Sequence, residues 1–176
     1  MTWISDVVLH CSIGVVVFLR LCAQFFANPI PEQRQLTRCT DSDFVVTADD
    51  SLELYIDGAY VSGLSHASTW TSADRVRVAA SSNVIAIKAT GGVLVAGILA
   101  SGADSTTNDS WKCTDQFHVG WADEGFDDST WPAATVIGHH GIIPWGDISG
   151  ISSEAKWIWT TTQTDRTVYC RKRRGI

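Results

Sequence analysis

An all-β, antiparallel sandwich is the architecture this sequence predicts, and three observations predict it. Short runs alternate between apolar and polar residues, as in Leu52, Leu54 and Ile56 set against Glu53, Tyr55 and Asp57; a period of two sends the two sets to opposite faces of a strand. Turn signals recur between the runs, the strongest being Asp57-Gly58, a two-residue hairpin pair. No window carries a sustained 3.6-residue apolar pattern with caps at its ends. Short strands at regular spacing close into a sandwich or a barrel.

Taken in order, the chain begins with its most apolar stretch, Val7 to Ala27. Its uninterrupted core, Ile13 to Leu19, has the length of a signal h-region; small residues Ala23 and Ala27 stand where cleavage would fall, and Pro29 and Pro31 follow. Residues 1–27 therefore read as an N-terminal apolar helix, a cleaved signal peptide. The absence of Lys or Arg before Asp6, and Arg20 inside the run, keep two alternatives open: a signal anchor, or a start that joins unrelated upstream sequence to the domain. Residues 28–40 read as a polar linker, 41–172 as the sandwich and 173–176 as a basic tail.

Strands are expected at 44–47, 52–56, 59–61, 75–78, 83–89, 93–100, 110–113, 156–159 and 167–171. The run Val93 to Ala100 is apolar almost throughout, which suits a strand covered on both faces. The segment 101–109 reads as a polar loop.

Composition narrows the function classes. A net charge of −6 argues against a nucleic-acid binder, which needs a basic face to neutralise phosphates. Apolar residues at 45% supply a core, and eight Trp in 176 residues suit a sandwich with aromatic packing and surface recognition. No G-x-S-x-G, H-E-x-x-H or phosphate-loop pattern occurs. Adjacent acids such as Asp49-Asp50, Asp123-Glu124 and Asp127-Asp128 do not by adjacency face each other across a sugar as glycosidase carboxyls must. The expectation is a protein that is not an enzyme.

Five cysteines occur, at positions 11, 22, 39, 113 and 170. The first two leave with a signal peptide. Cys113 and Cys170 lie in strand-like contexts, and joining them closes a loop worth about 4 kcal/mol in the chain-entropy model. Cys39 is left over: free, paired with another chain so as to build an oligomer, or competing for one of the other two. All three remaining as buried thiols is the alternative, one that an oxidising compartment disfavours.

The segment Gly120-Trp-Ala-Asp-Glu-Gly-Phe-Asp-Asp-Ser-Thr-Trp131 resembles the G-W … F-D-D-S-x-W pattern of galactose-binding-like jelly-roll domains attached to β-galactosidase-type and α-L-rhamnosidase-type glycoside hydrolases. Ala155-Lys-Trp-Ile-Trp159 resembles a strand of the same group, and Leu54-Tyr-Ile-Asp-Gly58, Asn83-Val-Ile-Ala-Ile87, Ser110-Trp-Lys-Cys113 and Val168-Tyr-Cys-Arg171 are similar to extracellular metazoan modules of this fold. The resemblance implies a jelly roll over roughly 41–172 and a binding role without catalytic residues. Within the motif, Trp121, Phe126, Asp127, Asp128 and Trp131, with Trp157 and Trp159, read as architecture: rings for the core and acids for a tight turn.

Carbohydrate recognition needs an exposed aromatic face flanked by polar groups. Trp70, in a polar loop, and Trp145, between Pro144 and Gly146, are the candidates, with His139 and His140 as neighbouring donors; the competing reading is that both rings plug the ends of the sandwich. Asp41, Asp43, Asp49 and Asp50 are candidate ligands for a structural Ca2+, against solvated loop acids as the simpler account. Asn108-Asp-Ser110 is an N-glycosylation sequon. Arg171 to Arg174 reads as a processing signal or as the charged end of the last strand. The expected protein is extracellular, secreted or on the outer cell surface, and binds a glycan or another extracellular protein. A purely structural domain and an accessory domain of a carbohydrate-active enzyme are the alternatives.

Overall fold

The computed structural model describes residues 40–92 and 95–175. The expected signal peptide or anchor, nearly all of the expected linker and Cys39 lie outside those residues. Ten strands run in order: β1 (Ser42–Asp49), β2 (Ser51–Ile56), β3 (Ala59–Tyr60), β4 (Asp74–Val78), β5 (Val84–Thr90), β6 (Gly97–Gly102), β7 (Lys112–Thr114), β8 (Thr135–His139), β9 (Lys156–Trp159) and β10 (Thr167–Arg173). They form two five-stranded sheets, ordered β4-β1-β6-β9-β8 (sheet A) and β3-β2-β5-β10-β7 (sheet B). Every strand pairing is antiparallel, and the described residues contain no helix.

The period-two pattern sets the layers. In β1, Phe44, Val46 and Ala48 enter the core between the sheets while Val45 turns the other way; in β5, Ile85, Ile87 and Ala89 point inward while Val84 and Ala86 point out. Trp111 and Trp159 join that central core. Both outer faces are also covered, in whole or part. On sheet A, Trp145, Ile148, Ile151 and Ala155 pack over Val45, Leu99 and Trp157. On sheet B, Trp121, Ala122 and Trp131 pack over Val84 and Ala86. A strand such as β6 is thus buried on both sides, which explains its unbroken apolar run.

Two glycines are required by their surroundings. Asp57 and Gly58 both have positive φ, 48° and 83°, making the tight β2–β3 hairpin, and a Cβ on Gly58 would lie 2.3 Å from Oδ1 of Asp123. The Asp57 carboxylate accepts the backbone N–H groups of Asn83 and Val84 at 2.8 and 2.7 Å, tying the hairpin to the start of β5. At Gly97 the ring of Trp157 lies so close that a Cβ would meet it at 2.8 Å.

Cys113 and Cys170 are bridged. They face each other across neighbouring strands β7 and β10, so the bond lies within sheet B, its two half-cystines buried on the core side. It does not fasten one sheet to the other. Three expectations change. Strand β8 was not expected; it carries Gly138 and a register shift between Val136 and Gly138, which break the apolar alternation. Of the apolar run expected to be a strand from position 93, residues 93 and 94 lie outside the described residues, Val95 and Ala96 precede the strand, and β6 runs from Gly97 to Gly102. The expected basic tail is no tail: β10 continues through Arg173, and Arg174 is 3% exposed, donating to the carbonyls of Ala103, Ala79 and Ser82 at 2.8 Å each. With Arg171 buried as well, the basic run is part of the fold rather than an open processing signal.

Candidate binding face

Of the four residues singled out for sugar binding, Trp145 and Trp70 join the cluster on the outer side of sheet A, and burial removes Trp145. Trp145 is only 6% exposed: its ring stacks on Trp157 at 4.3 Å between centroids, and its Nε1–H donates to the Asp49 carboxylate at 2.8 Å. A ring covered in this way offers no face to a pyranose. Of the two readings the sequence left open for Trp145, a ligand platform or a plug in the sandwich, the buried one fits; a Trp between Pro and Gly looks like a loop tip, and nothing local shows it folding back onto β9. Trp70 is half-buried against the same cluster. His140 is half-buried, its Nε2 accepting the Ile148 N–H at 2.7 Å, and this holds the loop that carries Trp145; His139, at the end of β8, is exposed.

The four aspartates do not converge. Asp43 lies near the start of β1, paired with Arg75 and Arg77 at 3.0 and 3.2 Å, and those two guanidinium groups hold its carboxyl below the usual range. Asp41 accepts the Ala80 N–H at 3.1 Å. Asp49 ends the strand roughly 20 Å further on at ~3.3 Å per residue. Its carboxyl is pushed up by burial, partly offset by the Trp145 bond, with the neighbouring Asp50 adding to the rise. Among the described residues no group of three His, Cys, Asp or Glu side chains is placed to hold a metal ion. At Asn108 the side-chain oxygen accepts from the Ser110 backbone and hydroxyl, a local turn in the β6–β7 loop.

The resemblance-bearing segment builds a cap. Asp127 accepts the Ser129 N–H at 2.9 Å, closing the turn, while Phe126 and Trp131 meet edge to face at 5.5 Å. Arg171, 1% exposed, clamps this cap from below: it donates to the Asp128 carboxylate and to the carbonyls of Phe126 at 3.2 Å and Asp123 at 2.8 Å. Its guanidinium also stands 5.4 Å from the centre of the Phe126 ring. Lys112 adds three more bonds, to the carbonyls of Asp128, Ser129 and Trp131 at 2.9–3.2 Å. Trp157 and Trp159 are fully buried.

The cap stops half way across sheet B. The register of outward-facing residues shows why this matters. One row, Lys112, Arg171, Ala86, Tyr55 and Tyr60, runs under and beside the cap. The next, Thr114, Tyr169, Lys88 and Glu53, and the one after it, Thr167, Thr90 and Ser51, are half-exposed. Glu53 accepts from Lys88 Nζ at 2.6 Å and from the Tyr55 hydroxyl at 2.7 Å. Lys88 keeps the Glu53 carboxyl below its usual range, and Glu53 pushes the Tyr55 phenol up to about 12. A continuous series of ring contacts borders these rows: Tyr60 to Tyr55 at 5.5 Å, Tyr55 to Trp121 at 5.4 Å, Trp121 to Tyr169 at 5.1 Å and Tyr169 to Phe117 at 5.7 Å. Its two ends, Tyr60 and Phe117, are 59% and 63% exposed. The face thus presents a carboxylate acceptor beside an ammonium donor, hydroxyls and open aromatic surface, the mixture that a polyhydroxylated ring requires. The alternation in β2 showed that Glu53 and Tyr55 point outward; their alignment with Lys88 and Tyr169 depends on pairings that no local pattern reports.

Fold and face together define a β-sandwich similar to the galactose-binding-like jelly-roll domains, with one broad side left partly uncapped. The particular likenesses agree with that class. A lectin from Pleurotus ostreatus, solved in its apo form, superposes with a TM-score of 0.53 at 28% identity over 66% of this chain and 36% of the lectin chain. A second structure, the Pleurotus ostreatus lectin in complex with GalNAc, aligns at a TM-score of 0.39 and 23% identity over the same shares and adds nothing to the first. An α-L-rhamnosidase of Streptomyces avermitilis is 43% identical over 61 residues, 34% of this chain and 6% of the enzyme. The chain thus spans a small part of the enzyme and about a third of the lectin. No protein-family model matches it.

Proposed function

We propose that this chain is an extracellular, non-catalytic carbohydrate-binding module, and that its ligand face is the uncapped half of sheet B. The observation that carries the reading is the Glu53–Lys88–Tyr55 network set among half-exposed hydroxyls and rings. Neighbouring sugar hydroxyls act as donor and acceptor in turn. Lys88 uses one N–H on Glu53 and keeps two for a ligand, while each Glu53 oxygen, already accepting one bond, retains a free lone pair. Bonds of this kind to charged groups are stronger than neutral ones, and holding the groups in advance reduces the ordering cost of binding. The likeness to a lectin and the rhamnosidase stretch support sugar as the ligand class. The bridged Cys113–Cys170 pair supports an oxidising compartment.

A glycan array with the mature domain, with and without calcium, tests the reading. Wild-type protein is expected to bind a defined glycan set; Glu53→Gln and Lys88→Met lose at least about tenfold in affinity, the scale of one charged hydrogen bond, and Trp70→Ala is unchanged. A chain that binds no glycan, or whose binding survives both face variants, overturns it. In the first outcome the structural-domain alternative stands.

A further inference from the structure

The polar rows and the exposed rings bear on the length of the ligand as well as its class; this inference rests on the carbohydrate reading and deepens it. The row Thr114, Tyr169, Lys88, Glu53 lies across four consecutive strands of sheet B rather than along one. At ~4.8 Å between strands that row is about 14 Å long, more than one pyranose ring covers. The two most exposed aromatic rings of this face stand at its opposite ends. Tyr60 is on edge strand β3, and Phe117 follows edge strand β7 and leans on Tyr169. Between them the rings are half-buried or buried, Trp121 being itself a buried part of the cap, so the outermost two carry the most free surface. The charges in the open rows cancel, since Glu53 and Lys88 are paired with each other. A face built to hold a single sugar would concentrate its rings and polar groups at one point. This one distributes them along a line.

We propose that the face takes a neutral, linear oligosaccharide laid across the strands, with its ends stacked on Tyr60 and Phe117 and its middle hydrogen-bonded to Glu53 and Lys88. Tyr60 and Phe117 then set the chain length at which affinity levels off, while Glu53 and Lys88 hold the middle of a long ligand or a monosaccharide alone.

Calorimetric titration of the full chain with neutral galacto- and gluco-oligosaccharides, from the monosaccharide to the hexasaccharide, tests this. Affinity is expected to rise with each added unit and level off once the row is spanned. Tyr60→Ala and Phe117→Ala should each weaken the longest ligand about five- to tenfold, the worth of one aromatic contact, and leave the monosaccharide within about twofold, as expected for contacts it does not reach. Both rings are surface-exposed, so circular dichroism of the variants should match the wild type. A monosaccharide that binds as tightly as the hexasaccharide overturns the spanning proposal and leaves the carbohydrate reading intact, as does preference for sialylated or sulfated chains. Binding to no sugar of any length removes both.

Discussion

Replacing Arg171 with Ala tests the cap most directly. The guanidinium is fully buried, its Asp128 partner has a side chain only 15% exposed, and it also satisfies the carbonyls of Phe126 and Asp123. Truncation leaves a nearly buried carboxylate without its donor and takes one bond from each carbonyl, although Phe126 keeps the Arg173 guanidinium at 2.7 Å and Asp123 keeps the Phe126 N–H at 3.2 Å. Breaking a buried ion pair from one side costs about 3–5 kcal/mol; because Asp128 retains some contact with water, the low end applies, about 3 kcal/mol. For a domain of this size that lowers Tm by roughly 9–15 °C. Urea unfolding followed by far-UV circular dichroism gives the stability, and near-UV signals from Trp121 and Trp131 report whether the cap has loosened. The double variant Arg171→Met/Asp128→Leu should recover part of the loss, since it removes both charges and not one. A loss no larger than about 1 kcal/mol, the scale of an exposed pair, or a double variant no better than the single one, would refute the clamp.

Three further outcomes are expected. Converting Cys113 and Cys170 together to Ala should cost about 4 kcal/mol by the chain-entropy account and raise the urea m-value, because the unfolded chain becomes more expanded. Asp49→Asn should remove a loss of stability that the wild type suffers as pH rises through the acid range. Burial raises the wild-type carboxyl above its unfolded value, so the fold prefers the protonated form and loses stability as pH climbs from the unfolded pKa through the raised one; urea midpoints at a series of pH values should show the variant gaining on wild type over that window and holding its lead above it. Spectrophotometric titration should find Tyr55 resisting ionisation to about 12, with Glu53→Gln bringing it down towards an ordinary phenol; an unchanged curve would show that Glu53 is not the cause.

What could be read from the residues alone follows from the range of each interaction. Alternation at Leu52, Leu54 and Ile56 and the Asp57-Gly58 turn are local signals, and they mark β2 and its hairpin correctly. The bridge between Cys113 and Cys170 was legible because two of few cysteines lay in strand-like surroundings. Thr135 to His139 hid as a strand since Gly138 and the irregular register there erase the period. Trp145 stayed undecided between ligand contact and burial because the ring that covers it, Trp157, comes from β9. Arg171 and Arg174 looked like surface charge because the carbonyls that bind them lie 45 to 95 positions away. The candidate face was hidden for the same reason: Glu53, Lys88 and Tyr169 come together only after three strands choose their partners.

The placement of the disulfide has a consequence for the rim of sheet B. Strand β7 is three residues long and pairs with only one other strand, its far side meeting just the short 132–134 segment through a bridge between Lys112 and Ala133, so it has few bonds to keep it from fraying. The bond hems it to β10 at a single rung, Cys113 opposite Cys170. Sliding by one residue would turn every side chain of β7 to the wrong side, and the covalent stitch forbids that slip. Thr114 therefore stays abreast of Tyr169, and Lys112 of Arg171, even when the surrounding hydrogen bonds open briefly.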